Sequence, residues 1–97
     1  MSKLIKKNQW VWVIVQDPGG NEQFLGQRDE ERDISFIPVF LEKDDAWQCL
    51  TTFVLEKGFK YEAQAILFEE LVRHAGDNGF MIFILNSSGE IIEKIKS

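Results

Sequence analysis

The sequence predicts an α+β or α/β domain: one mixed or antiparallel sheet of five to six strands, with two helices on one face. The element order is β-β-β-α-β-α-β-β. Three observations carry this. Short segments rich in β-branched and aromatic residues are bounded by Gly, Pro, Asn and Ser turns. The apolar period changes from two to the helical period over Glu42 to Lys57, and again more briefly over Glu69 to Asn78. Hairpin signals lie near both ends, and helices alternate with strands only in the middle.

Gln9 to Gln16, QWVWVIVQ, is the first strand. Trp10, Trp12 and Ile14 point to one face and Val11, Val13 and Val15 to the other. Both faces are apolar, so the strand is predicted to be central. Asp17-Pro18-Gly19-Gly20 is a turn, with Pro presetting φ at its second position and Gly allowing φ above zero at its third. Glu22 to Gln27 returns as a second strand, and Gly26 within it is read as a bulge. Arg28 to Asp33 is wholly charged and reads as a solvated loop. Ile34 to Leu41 is a third strand. Pro38 removes a ladder donor there, which predicts a sheet edge or a bulge.

In Glu42 to Lys57, Ala46, Trp47, Leu50, Phe53 and Val54 form one helical stripe. Asp44 and Asp45 suit the first turn, Lys57 the last, and Gly58 the position after it. Tyr61 to Phe68 is a fourth strand. Glu69 to Asn78 is a short helix stopped by Asn78-Gly79, with Gly76 costing its last turn about 1 kcal/mol relative to Ala. Phe80 to Leu85 is an unbroken apolar strand, typical of one covered on both faces. Asn86 to Gly89 turns the chain into a last strand, Glu90 to Ile95.

Composition narrows the class of protein. The 97 residues are 44% hydrophobic and 28% charged, as in an ordinary globular chain, and are read as a single domain over 1–97. No apolar run approaches the roughly 20 residues of a membrane span, so no membrane partner is expected. The Trp10–Val15 run is too short for a signal peptide and ends at Asp17-Pro18. Cys49 is the only cysteine and cannot form an internal disulfide, which points to a reducing, cytoplasmic location. The net charge of −5 argues against nucleic acid, which calls for a basic face.

No catalytic set is legible. His74 is the only histidine; one His and one distant Cys make no metal site, and His74 is read as a surface or boundary residue. Cys49 lacks a CxxC partner and reads as a structural thiol. Asp29, Glu30, Glu31, Asp33, Asp44 and Asp45 cluster in sequence but read as solvated, without EF-hand spacing. The glycines form no phosphate-binding loop, and Ser35, Ser87 and Ser88 have no GxSxG context. No cofactor and no enzymatic activity are expected.

Ser35-Phe36-Ile37-Pro38-Val39-Phe40 followed by Lys43-Asp44-Asp45-Ala46 resembles the N-terminal domain of the SseB-like (enhanced serine sensitivity B) family. The resemblance covers about fifteen residues at a strand-to-helix junction. It implies a small bacterial α/β domain and carries no catalytic residues across.

Trp10, Trp12 and Ile14 are the candidate interface. Two helices on one face would leave the other face of the sheet open, and aromatic residues there suit a partner site. The helices could equally pack on the tryptophans and make them core. The expected function is protein association, as a homodimer or by docking on another chain. The alternative is a regulatory domain that binds a small metabolite between sheet and helices. The segment Arg28–Asp33 beside the Pro38 strand could add a partner strand, although clustered charge there more often prevents such pairing.

Overall fold

A computed structural model describes residues 2–96. The fold is α+β. Its strands are β1 (Trp10–Gln16), β2 (Gln23–Phe24), β3 (Gln27–Asp29), β4 (Ile34–Val39), β5 (Tyr61–Leu67), β6 (Met81–Leu85) and β7 (Ile91–Ile95). Its helices are α1 (Lys43–Cys49), continued by a 3₁₀ turn at Leu50–Thr52, and α2 (Phe68–Asp77). The strands form a three-stranded sheet, β2-β1-β5, and a four-stranded sheet, β3-β4-β6-β7. Trp12 and Phe40 join the two by a reciprocal backbone pair, each N–H donating to the other's carbonyl at 2.9 Å.

That bridge makes the five main strands run β5-β1-β4-β6-β7. β1 is antiparallel to β5 and to the end of β4, and β4 is parallel to β6. It follows that β4, β5 and β6 share one direction. The chain crosses from β4 past β1 to β5 through α1, then returns past β1 and β4 to β6 through α2. Two parallel crossovers that travel in opposite directions keep the same hand only if their helices lie on opposite faces, and parallel crossovers strongly prefer one hand.

The packing follows that rule. Val11, Val13, Val15, Ile37, Val39, Ile82 and Ile84 form one core with Phe68, Leu71 and Ala75 of α2. Ile14, Phe40, Phe83 and Leu85 form a second core with Ala46 and Cys49 of α1. Successive strand residues alternate between the two cores, as the pleat requires. The expectation of two helices on one face is thereby corrected: each face carries one helix. β1, with neighbours on both sides, is central.

Pro38 is the second correction. β4 is not an edge strand, and Pro38 itself lies directly opposite Phe83 in the parallel ladder. Backbone polar groups point alternately to the two sides of a strand. Those of Phe40 point to Trp12, so the nitrogen of Pro38 points the same way. On that side β3 pairs with β4 only as far as Phe36, and β1 meets it only at Phe40. Pro38 occupies the gap between them, where no N–H is needed.

The helix expected over Glu42 to Lys57 stops early. Phe53 is already extended (φ −93°, ψ 156°), and Val54, placed on the apolar stripe, is 84% exposed. Thr51, Thr52, Phe53 and Val54 are stiff at χ1 and poor helix formers. Thr52 Oγ1 donates to the Cys49 carbonyl at 2.7 Å within the closing 3₁₀ turn. Gly58 is therefore part of the following loop rather than the helix end.

The predicted second strand divides into β2 and β3 around Leu25-Gly26. Gly26 is not a bulge there; a Cβ on it would stand 3.1 Å from Phe80 Cε1. The charged stretch is only partly loop, since Arg28 and Asp29 belong to β3, and it is tied by Arg28–Asp33 and Arg32–Asp29 ion pairs. The Asp17–Gly20 turn forms as read, with the Gly20 N–H donating to the Asp17 carbonyl at 3.0 Å and Gly19 at φ +82°.

Candidate functional site

The proposed interface residues separate in the structure. Ile14 is 3% exposed in the α1-side core, so it cannot belong to an open surface. Trp12 is half-buried against the same core, with Lys43 Nζ 5.5 Å from its ring centroid. Only Trp10, at 60% exposure, stands clear. The open sheet face inferred from a shortage of helix does not exist, because α1 covers it.

The α2 face carries an N-terminal strap. Ser2 Oγ donates to Glu93 Oε1 at 2.6 Å and the Lys3 N–H to Glu93 Oε2 at 2.8 Å. The Ser2 hydroxyl, then the Lys3 amide, hold the Glu93 carboxyl below its ordinary value. Ile5 anchors the strap in the α2-side core. Further along, the carbonyls of Gln9 and Lys7 accept the N–H groups of Phe68 and Glu69 at 2.9 and 3.1 Å. They satisfy the start of α2, which has no side-chain cap.

Beyond the other end of α2 lies a cleft of about 490 Å³. Its position follows from the hairpin and the helix length. The Asp17–Gly20 turn sets Phe24 opposite Val15, and α2 ends above them with His74 and Asn78. Val15 and Ile37 make an apolar floor, and Phe24, His74 and Phe80 make walls. The Phe24 and His74 rings meet edge-on, 4.7 Å between centroids with planes at 83°. Glu22, Gln23, Gln64 and Asn78 supply polar groups at the rim.

Several rim groups are already engaged. Glu22 Oε2 accepts the Gly19 N–H at 2.9 Å, Gln64 Nε2 donates to Glu62 Oε1 at 3.0 Å, and Asn78 Nδ2 donates to the His74 carbonyl at 2.8 Å. The cleft thus sets apolar residues beside polar groups within a volume of about 490 Å³.

Sequence reasoning missed this cleft because its residues come from five separate elements and loops. The one legible signal was the turn, which predicts a hairpin between the first two strands. His74 alone carried no ligand-set pattern. Cys49 is buried, its Sγ 3.3 Å from Thr52 Oγ1. Among the described residues, no three His, Cys, Asp or Glu side chains gather as metal ligands, and no helix is long and apolar enough to cross a membrane. Comparison with protein-family models, curated proteins and solved structures finds no match.

Proposed function

We propose that this chain is a non-enzymatic, cytoplasmic regulatory domain that binds a small metabolite in the cleft beside His74. The supporting observation is the cleft itself. Its volume of about 490 Å³ lies inside the range of roughly 300–1,000 Å³ usual for ligand sites, and its apolar floor and polar rim suit a compact ligand. Both sheet faces are already covered, which favours this reading over docking through the sheet.

The test is thermal melting against a panel of small metabolites. A ligand that binds only the folded form stabilises it by RT ln(1 + [L]/Kd). At least one compound should raise Tm, and His74→Ala should remove that rise while leaving the unliganded Tm nearly unchanged. A panel that shifts nothing, or a rise that persists in His74→Ala, would count against the cleft.

Association is retained as a second reading because Trp10 is 60% exposed at the start of β1. On that reading the wild type runs as a multiple of 11.3 kDa in native mass spectrometry and Trp10→Lys runs as a single chain. A monomeric wild type would end the homodimer form of it.

A further inference from the structure

We propose that the free edge of β5 pairs with the β5 edge of a second copy of this chain, in an antiparallel two-fold register centred on Gln64. This rests on the association reading, not on the cleft, and names the partner and the strand.

β5 and β7 are the outer strands of the five-stranded run. β7 carries devices that discourage strand addition: a register shift against Ile84 and Leu85, Lys94, and the Ser2–Lys3 strap bonded to Glu93. β5 has none of them. It pairs with β1 over all seven residues without a break, and Tyr61–Leu67 contains no Pro, Lys or Arg. The N–H and carbonyl of Trp12 point to Phe40, and the Ile14 carbonyl points to Leu25. Those of Val11, Val13 and Val15 therefore point to β5, where their partners are Ile66, Gln64 and Glu62. That leaves the backbone groups of Tyr61, Ala63, Ala65 and Leu67 pointing outward, and no described backbone group bonds to them there.

A second β5 fits this edge. Outward groups meet outward groups only when the two-fold axis passes through a residue, and of those registers only the one centred on Gln64 pairs the whole strand. It sets Ala63 opposite Ala65, Tyr61 opposite Leu67 and Glu62 opposite Ile66, so no like charges face each other. Beyond the ladder Lys60 falls opposite the partner's Phe68, beside Glu69 and Glu70 in the first turn of the partner's α2, so opposite charges flank the seam at both ends. An apolar row also reaches this edge. Trp10 and Trp12 stand directly opposite Leu67 and Ala65, and Trp10 and Ala65 are exposed. The partner's Tyr61 and Ala63 extend that row across the seam. A contact of this isologous kind closes on itself and stops at a dimer.

Native mass spectrometry and cysteine cross-linking test this together. Wild type should run at twice 11.3 kDa, and Ala65→Pro as a single chain, because the N–H it removes points outward and serves only the partner. Ala65→Lys, which adds the charge that guards other edges, should also run as a single chain. Cross-linking reads the register. Gln64 faces itself across the axis in a non-hydrogen-bonded pair, whose Cα separation of about 4.5 Å lies within disulfide range. Gln64→Cys should therefore form a covalent dimer with diamide as oxidant. Glu62→Cys should not, since its two copies stand about 14 Å apart along the strands. Cys49 is buried and takes no part.

A wild-type dimer in which Gln64→Cys fails to cross-link, or which both Ala65 variants leave intact, overturns the β5 edge while association stands. Equal cross-linking of Gln64→Cys and Glu62→Cys overturns the register. A wild type that runs as a single chain overturns the proposal and the homodimer reading together. If Ala65→Pro unfolds, Ala65→Lys and the two cysteine variants still decide.

Discussion

Trp12 and Phe40 exchange two backbone hydrogen bonds at 2.9 Å, and this single pair turns two sheets into one continuous surface. The Phe40 side chain is fully buried in the α1-side core. Trp12 is half-buried beside it, whereas Trp10, two residues earlier, is mostly exposed. Sequence spacing treats the two tryptophans alike, and the bridge separates them.

Chemical denaturation should reveal that difference. Phe40→Ala is expected to cost about 3–5 kcal/mol, the usual cost of emptying a buried phenylalanine site. Trp12→Lys should cost about 1–3 kcal/mol, because it strips packing and sets a second cation beside Lys43. Trp10→Lys should stay within about 0.5 kcal/mol, as an exposed substitution does. Equal losses for the two tryptophan variants would contradict this account.

Gly26 and Phe80 give a second prediction. A Cβ at Gly26 would press on Phe80 Cε1 at 3.1 Å, and Phe80 lines the cleft. The ring must shift by a few tenths of an ångström to accept the methyl group. Alanine also reduces the freedom of the unfolded chain, worth about 0.4–1 kcal/mol in its favour. Gly26→Ala should therefore change Tm little, because the two effects oppose each other, while displacing a residue of the cleft, so the Tm rise given by a cleft ligand shrinks. An unchanged rise would show that Phe80 is not displaced.

The strap predicts a pH response with a definite sign. Glu93 is held below its ordinary value in the folded protein by the Ser2 hydroxyl and the Lys3 amide. A depressed carboxyl stabilises the fold above the ordinary glutamate range, and that contribution is lost as pH falls through the lowered value. Acidification should loosen residues 2–5 before the sheet unfolds, seen as a lower protection factor for the Lys3 amide once the intrinsic pH dependence of exchange is removed. Glu93→Gln should abolish the acid-induced step. An identical pH profile in wild type and Glu93→Gln would remove Glu93 from the explanation.

Most of the local structure was legible from residues and spacing. β1 with two apolar faces, the Asp17–Gly20 turn, the strand around Ile37, the short helix ending near Asn78 and the closing hairpin all follow from periodicity and turn chemistry. Those signals act over a few residues, and the chain obeys them. At the end of α1 they failed locally: Phe53 is already extended after the 3₁₀ turn at Leu50–Thr52, before the apolar stripe runs out.

Three features were decided by the tertiary structure alone. The helices take opposite faces because the chain reverses its direction of travel across the sheet, and strand order cannot be read from any one segment. Pro38 sits in a central strand because β3 and β1 leave a gap beside it. The cleft beside His74 exists because the α2 terminus, the β1–β2 hairpin and β5 converge there. Periodicity sets which face of each element is apolar; which elements share a face is fixed only when long-range pairing closes the sheet.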